Sequence, residues 1–428
     1  MGLFDRSNKK SLNKKSFKLF REGKLQEALK LYDEALKIEP NNAEAWHGKG
    51  TVLAYLEKYQ EALGAYDKAL EIEPNAETWY NKGIALKKFG RYQEALDAYD
   101  KALEIEPDAE TWYNKGIVLD ELGKFHEALE AYDKALEIEP EDADTWNNKG
   151  NVLNELGKFH EALEAYDITL KIEPKNAETW NNRGTALEIL GKYYEALESY
   201  DKSLEIESNN VDTWNNKGIA LGKLGKIQEA LECYDKALEI KPEDADSWYN
   251  KGIVLDEFGR YHEALEAYDK ALEIEPNAET WYNKGNSFFH LGMYPEALGA
   301  YDKALEINSK KADAWHNKGN VFGNLGKYQD AIECFDKSLE INPNYFSVWI
   351  NKGYAFKYTG NNQKALLSFN KALELDKNNV EAWYNKGDIL LNIGKEQEAL
   401  KCFDESLKID SEYELALNAK KKILEFKK

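Results

Sequence analysis

The chain is poor in cysteine, proline, methionine, basic charge and long apolar runs, and each shortage excludes something. Its three cysteines, Cys233, Cys334 and Cys402 among 428 residues, are too isolated for a disulfide framework or a compact metal site. No stretch approaches the ~20 apolar residues of a membrane-spanning helix. The opening MGLFDRSNKK lacks the apolar core of a secretory signal. Arg6 stands where a myristoylation motif carries Ser or Thr. A cytoplasmic location is therefore expected. Lys and Arg number 57 against 78 Asp and Glu, a net charge of -21, which argues against a nucleic-acid partner. Only the ends are basic: Arg6, Lys9, Lys10, Lys14, Lys15, Lys18, Arg21 and Lys24 at the start, Lys420, Lys421, Lys422, Lys427 and Lys428 at the finish. Such runs read as solvated faces. With only 9 prolines and abundant Ala, Leu, Glu and Lys, the composition favours helix. Aromatics at 12% call for a core, because disordered chains are poor in them.

What is present is a repeat. All eleven tryptophans (Trp46, Trp79, Trp112, Trp146, Trp180, Trp214, Trp248, Trp281, Trp315, Trp349 and Trp383) follow one another at 33 or 34 residues. With tryptophan at position 4, repeats begin at 9, 43, 76, 109, 143, 177, 211, 245, 278, 312, 346 and 380. Position 8 is Gly in eleven repeats and Ser16 in the first, position 20 is always Ala, and position 24 is Tyr or Phe. Positions 4, 8 and 11 share one helical face, and 20, 24 and 27 share a face of a second helix. Gly near position 15 (Gly90, Gly123) separates the helices, and Pro near 32 (Pro74, Pro107) ends the second. A lone hairpin cannot bury both aromatic positions, so each repeat must stack on the next. The tryptophans are expected in the core, where burying ~150–250 Å² of each would be worth ~4–6 kcal/mol gross.

Segments such as AETWYNKGIALKKFGRYQEALDAYDKALEIEP (76–107) resemble the tetratricopeptide repeat, with its Trp, Gly, Tyr, Ala, aromatic, Ala and Pro signature in order. The resemblance covers residues 9–413 and is to tandem arrays of the prokaryotic type. It implies an all-α, right-handed superhelix of about twelve helix-turn-helix repeats, its concave groove lined by the first helices. Residues 1–8 read as an N-terminal basic segment, and 414–428 as a C-terminal capping helix with a basic tail. The end repeats depart from the pattern, with Leu12 for Trp, Ser16 for Gly, and Asn362 and Glu396 at an aromatic position. Atypical ends are what a solenoid needs.

Positions 2, 6, 9 and 13 fall on a face offset from the tryptophans. Position 6 is Gly48, then Asn81, Asn114, Asn148, Asn182, Asn216, Asn250, Asn283, Asn317, Asn351 and Asn385. An Asn amide can pair with both polar groups of a peptide unit, so the row reads as a main-chain-binding ladder. It resembles the ladder in the repeat region of sugar-transferring tetratricopeptide enzymes, without their catalytic domain. Position 5 supplies Tyr80, Tyr113, Tyr249, Tyr282 and Tyr384, with His47 and His316. Position 2 is acidic in nearly every repeat, as helix starts favour, and Asp120, Glu121, Glu155, Glu188, Asp256 and Glu257 add charge at positions 12 and 13. The groove should prefer neutral or basic segments. Family members that hold acidic chaperone tails use Lys at positions 2 and 5 and Lys or Arg at position 6; none of these stands there in the tryptophan-bearing repeats, so such tails are not expected to bind.

Three HEALE segments, at His126, His160 and His262, resemble a zinc-protease motif but lack its second His. No catalytic, metal or cofactor site is expected. The expected function is a non-catalytic scaffold binding extended partner segments through the Asn ladder. Its rivals are a self-assembling solenoid and a regulatory subunit of a complex whose catalytic chain is separate.

Overall fold

The computed structural model describes residues 3–425, with side chains over 12–424. Lys427 and Lys428, and the side chains of Arg6, Lys9 and Lys10, lie outside the described residues. Twenty-five helices are described: twelve pairs, each a first (A) and second (B) helix, and a final lone helix, Glu414–Glu425. The first helix, Leu3–Arg21, begins ahead of residue 9 and takes in most of the segment 1–8. The helices form two units, Met1–Ser208 and Asn209–Lys428. Within each unit every A helix packs on its own B helix, and each B helix on the next A helix.

The third repeat shows why the sequence folds this way. Asn75 caps the A helix Ala76–Lys88, its side chain accepting from the Thr78 amide at 2.8 Å. Glu77 in the first turn suits the helix dipole. At the other end Gly90 takes φ +78, while Arg91 N–H reaches the Leu86 carbonyl and Gly90 N–H that of Lys87, both at 2.9 Å. That paired closure ends the helix and starts the B helix Tyr92–Ile105. The same turn recurs through the chain. In the second repeat Glu57 holds it at φ 59, a strain of about 1 kcal/mol relative to glycine.

The core is carried by position 24. Tyr66, Tyr99, Tyr132, Tyr166, Tyr200, Tyr234, Tyr268 and Tyr301 are all essentially inaccessible, as are Phe369 and Phe403. Each ring lies flat on the glycine of its own hairpin. A Cβ at Gly83 would stand 2.5 Å from the Tyr99 ring, and one at Gly116 2.5 Å from Tyr132. Ala95 and Ala102 flank the ring at zero exposure, so small residues at 20 and 27 admit it. The cysteines are buried among them at position 23.

The tryptophans differ from expectation: all eleven are half-buried rather than core. The buried members of the A helix are positions 3, 8, 10 and 11, as in Thr78, Gly83, Ala85 and Leu86. The indoles lie one position round the helix, on a polar seam. The ammonium of Lys82 sits 4.9 Å from the Trp79 ring centre and that of Lys101 4.3 Å, within cation–π range. Lys82 also pairs with Asp67 of the preceding repeat at 2.5 Å. The motif recurs, with Lys149–Asp133 at 2.6 Å and Lys251–Asp235 at 2.5 Å. Where the preceding repeat has 34 residues the indole N–H reaches a carbonyl six residues back, as from Trp46 to Pro40 at 2.8 Å and Trp180 to Pro174 at 3.0 Å. The tryptophan is a partly wet clip between repeats, worth less than a fully buried ring.

Candidate functional site

Within each unit the A helices of successive repeats lie side by side and present positions 2, 5, 6, 9 and 12 on one face. Tyr80, Tyr113, Tyr249 and Tyr282 are half-buried there. Each rests against the core tyrosine of its own hairpin, with ring centres 6.1 to 6.3 Å apart. The asparagines of position 6 stand beside them, half-buried except for Asn385, which is buried.

Eight of these asparagines are stitched to the preceding repeat through their amide hydrogens. Asn114 donates to the Tyr80 hydroxyl at 3.2 Å, and that hydroxyl donates to Glu110 at 2.6 Å. Asn148 donates to Tyr113 at 3.2 Å, Asn283 to Tyr249 at 3.0 Å and Asn317 to Tyr282 at 3.1 Å. Where position 5 is histidine the ring nitrogen accepts, at 2.9 Å for Asn351 on His316 and 3.5 Å for Asn81 on His47. Position 9 of the preceding repeat is a second acceptor: Asn151 for Asn182 at 3.0 Å, Asn286 for Asn317 at 2.9 Å, Asn320 for Asn351 at 2.8 Å and Tyr354 for Asn385 at 2.8 Å. Asn216 and Asn250 occupy the same place on their helices.

Both amide hydrogens therefore have acceptors at Asn114, which also donates to the Glu110 carbonyl at 3.0 Å, and at Asn317, Asn351 and Asn385. The two-point pairing expected from the sequence requires a free N–H at the same amide, and at these four the donors are already committed. The face is left rich in acceptors. The sequence places position 9 on this face but assigns its residues no role. Its signal was polar Asn151, Asn286 and Asn320 at places where other repeats carry Ile84, Ile117, Ile219 and Ile253.

Burial, and after it neighbouring charge, shifts the local titrations. Burial, then the neighbouring Glu155 and Glu121, hold the Asp120 carboxyl above the usual range. Burial, with Asp142 and Glu173, does the same for Asp144. Burial raises Asp256, against the opposing hydrogen bond from Ser287. The Tyr80 phenol is raised first by burial and then by Glu110, and burial followed by Glu279 pushes Tyr249 up to about 12. Burial pulls His316 down to about 4, so at neutral pH its ring is neutral and can accept from Asn351.

Between Phe289 and Tyr358, in the second unit, the face changes character. A cavity of about 540 Å³ opens among Phe289, Asn320, Gly323, Asn324, Tyr328 and Tyr358. Tyr328 and Tyr358 stack with centres 4.9 Å apart at 10°, and no charged side chain lines the space. The histidines of the HEALE segments are exposed. No helix among the described residues is long and apolar enough to cross a membrane.

Similar solved structures include the Cut9–Hcn1 hetero-tetramer of APC/C, with 17% identity, 97% of this chain and 96% of that chain covered, and a TM-score of 0.46. YrrB, described as a TPR protein with an unusual peptide-binding site, is 30% identical over 45% of this chain and 99% of its own, with a TM-score of 0.40. MamA is 26% identical over 37% of this chain and 94% of its own, with a TM-score of 0.36. No curated protein matches. Tetratricopeptide repeat models match residues 43–75, 76–108, 109–142, 143–176, 177–210, 211–244, 245–277, 278–311 and 312–345 in unbroken succession, and related models match 18–56, 346–379 and 368–401. On that coverage, with helix pairs in the same register, the chain belongs to the tetratricopeptide repeat family.

Proposed function

We propose that this chain is a non-catalytic scaffold, working in the cytoplasm, that holds extended neutral or basic segments of partner proteins along its A-helix face. The observation that carries the reading is the surplus of acceptors. Asn side-chain oxygens, tyrosine hydroxyls and carboxylates line the face while many amide hydrogens are committed between repeats. A segment laid there is recognised through the N–H groups it offers, from its main chain or from Lys and Arg. Each such bond contributes about 0.5–1.5 kcal/mol net, so several repeats must engage together. Acidic tails bring acceptors to acceptors and are disfavoured. The cytoplasmic placement draws on the three free, buried cysteines.

The test is an array of 15-residue segments of varied charge, probed with the full chain and with Asn148→Ala/Asn182→Ala. Neutral and basic segments should dominate, and the variant should lose much of the capture while its helical signal stays intact. Undiminished capture by the folded variant, or tight binding of an acidic C-terminal pentapeptide, would sink the reading. A second reading, self-assembly, is favoured by the final helix, where Leu415, Leu417 and Leu424 are 52%, 44% and 48% exposed. Light scattering that stays monomeric at every concentration removes it.

A further inference from the structure

The junction between the first two repeats breaks the stitching rule described above. Asn13 holds position 5 of the first repeat, where the tyrosines and histidines of later repeats accept from the position-6 amide of the next. The next position 6 is Gly48, which has no side-chain amide to give. Asn13 is 5% exposed, and its Oδ1 has no hydrogen-bond partner among the described residues. Its Nδ2 is engaged by Glu44 at 3.2 Å, which fixes the oxygen as the unpaired end.

The glycine has a physical cause. Ser16 at position 8 is buried with its hydroxyl on the Leu12 carbonyl at 2.9 Å, so the Tyr32 ring cannot lie on its own hairpin as the later tyrosines do. It lies on Gly48 instead, where a Cβ would stand 2.4 Å from the ring. The result is a cavity of about 410 Å³ lined by Asn13, Phe17, Phe20 and Tyr32, with the exposed Glu44, Glu77 and Lys14 also on its lining. His47 on the same wall is kept from protonation by burial and adds no positive charge. Tyr32, its side chain 4% exposed, also lines this cavity.

Two carboxylates, an orphaned amide oxygen, a phenol and the faces of two phenylalanines all ask for one kind of guest: a cation with several N–H donors on an apolar stem. We propose that this N-terminal cavity is an anchor site for a lysine or arginine side chain of a partner segment, the guest's N–H groups turned to Glu44, Glu77 and the unpaired oxygen of Asn13. The inference deepens the scaffold reading and rests on it for the identity of the partner as a peptide.

The test titrates the full chain with a blocked Ser-Ala-Lys-Ala-Ser peptide, read by saturation-transfer NMR on the lysine methylenes. Norleucine and Nε-acetyl-lysine versions serve as controls. Lysine should bind at least about tenfold more tightly than either. Glu44→Gln/Glu77→Gln should abolish that preference, and Glu178→Gln, at position 2 elsewhere in the same unit, should keep it. Equal binding of acetyl-lysine, retention by the double variant, or an equal loss in Glu178→Gln overturns the site. If the double variant fails to fold, Phe17→Ala replaces it, since Phe17 is 54% exposed; an unchanged lysine preference there overturns the site too. Asn148→Ala/Asn182→Ala separates the two proposals. A lysine preference surviving when segment capture is unchanged in that variant supports the anchor against the ladder. Segment capture lost in that variant, with no effect of Glu44 and Glu77, supports the ladder against the anchor.

Discussion

The A-helix faces of the two units, built on one repeat, differ in their chemistry. In the first unit burial, with Glu155 and Glu121, raises the Asp120 carboxyl, and burial, with Asp142 and Glu173, raises that of Asp144. In the second unit the cavity from Phe289 to Tyr358 is uncharged, and the nearby His316 is buried and held neutral. The difference teaches that the hairpin lock at positions 8 and 24 sets the fold and leaves positions 9, 12 and 13 free to vary. It also means the two stretches answer acid in opposite directions.

The largest expected effect is on the neutral stretch. His316 titrates at 6.5 ordinarily and at about 4 in the fold. The unfolded chain therefore binds the extra proton first, and stability is lost as pH falls from 6.5 toward 4, by up to ~3 kcal/mol. His316→Tyr, copying position 5 of other repeats, should flatten that loss. Hydrogen exchange across Ala312–Asn324 against pH checks it, and an unchanged slope in the variant counts against the assignment.

The next effects contrast two glycines. Gly116→Ala in the acidic stretch drives a methyl into Tyr132 and should cost about 1–3 kcal/mol in urea unfolding. Gly323→Ala in the neutral stretch meets nothing within 4 Å. It should stabilise by roughly 0.5–1 kcal/mol through helix propensity. Destabilisation by Gly323→Ala would show that the cavity floor is more crowded than described. The smallest effect belongs to Asp120→Asn. A raised carboxyl is destabilising when ionised, so its stability contribution improves as pH falls toward its folded pKa. Removing the charge should lift the neutral-pH melting temperature by about 1 °C or less and reduce the gain on acidification. A lowered melting temperature would mean that Asp120 has a stabilising partner.

The hairpin lock was legible in the sequence because Gly83 and Tyr99 recur in fixed register inside one repeat. The tryptophan was misplaced for an equally physical reason. A helical wheel places Trp79 beside Gly83, but one step round the wheel separates the core from the seam. Only packing shows Thr78 inside and Lys82 over the indole. The asparagine row was visible, but its commitment to Tyr80, Tyr113 or Asn151 depends on side chains 31 to 35 residues away meeting across a boundary. The cavity beside Asn13 was invisible, since it follows from a ring displaced by Ser16.

The lock between Gly83 and Tyr99 also bears on heredity. Because both halves lie within one hairpin, copying or deleting a whole 33- or 34-residue unit carries a complete lock with it, and the array can lengthen or shorten by errors of replication without repair elsewhere. The first two repeats are bound differently. Tyr32 is keyed to Gly48 across their boundary, so neither can be duplicated alone without stranding a ring or a hole. They form a single heritable piece at the head of an otherwise countable chain.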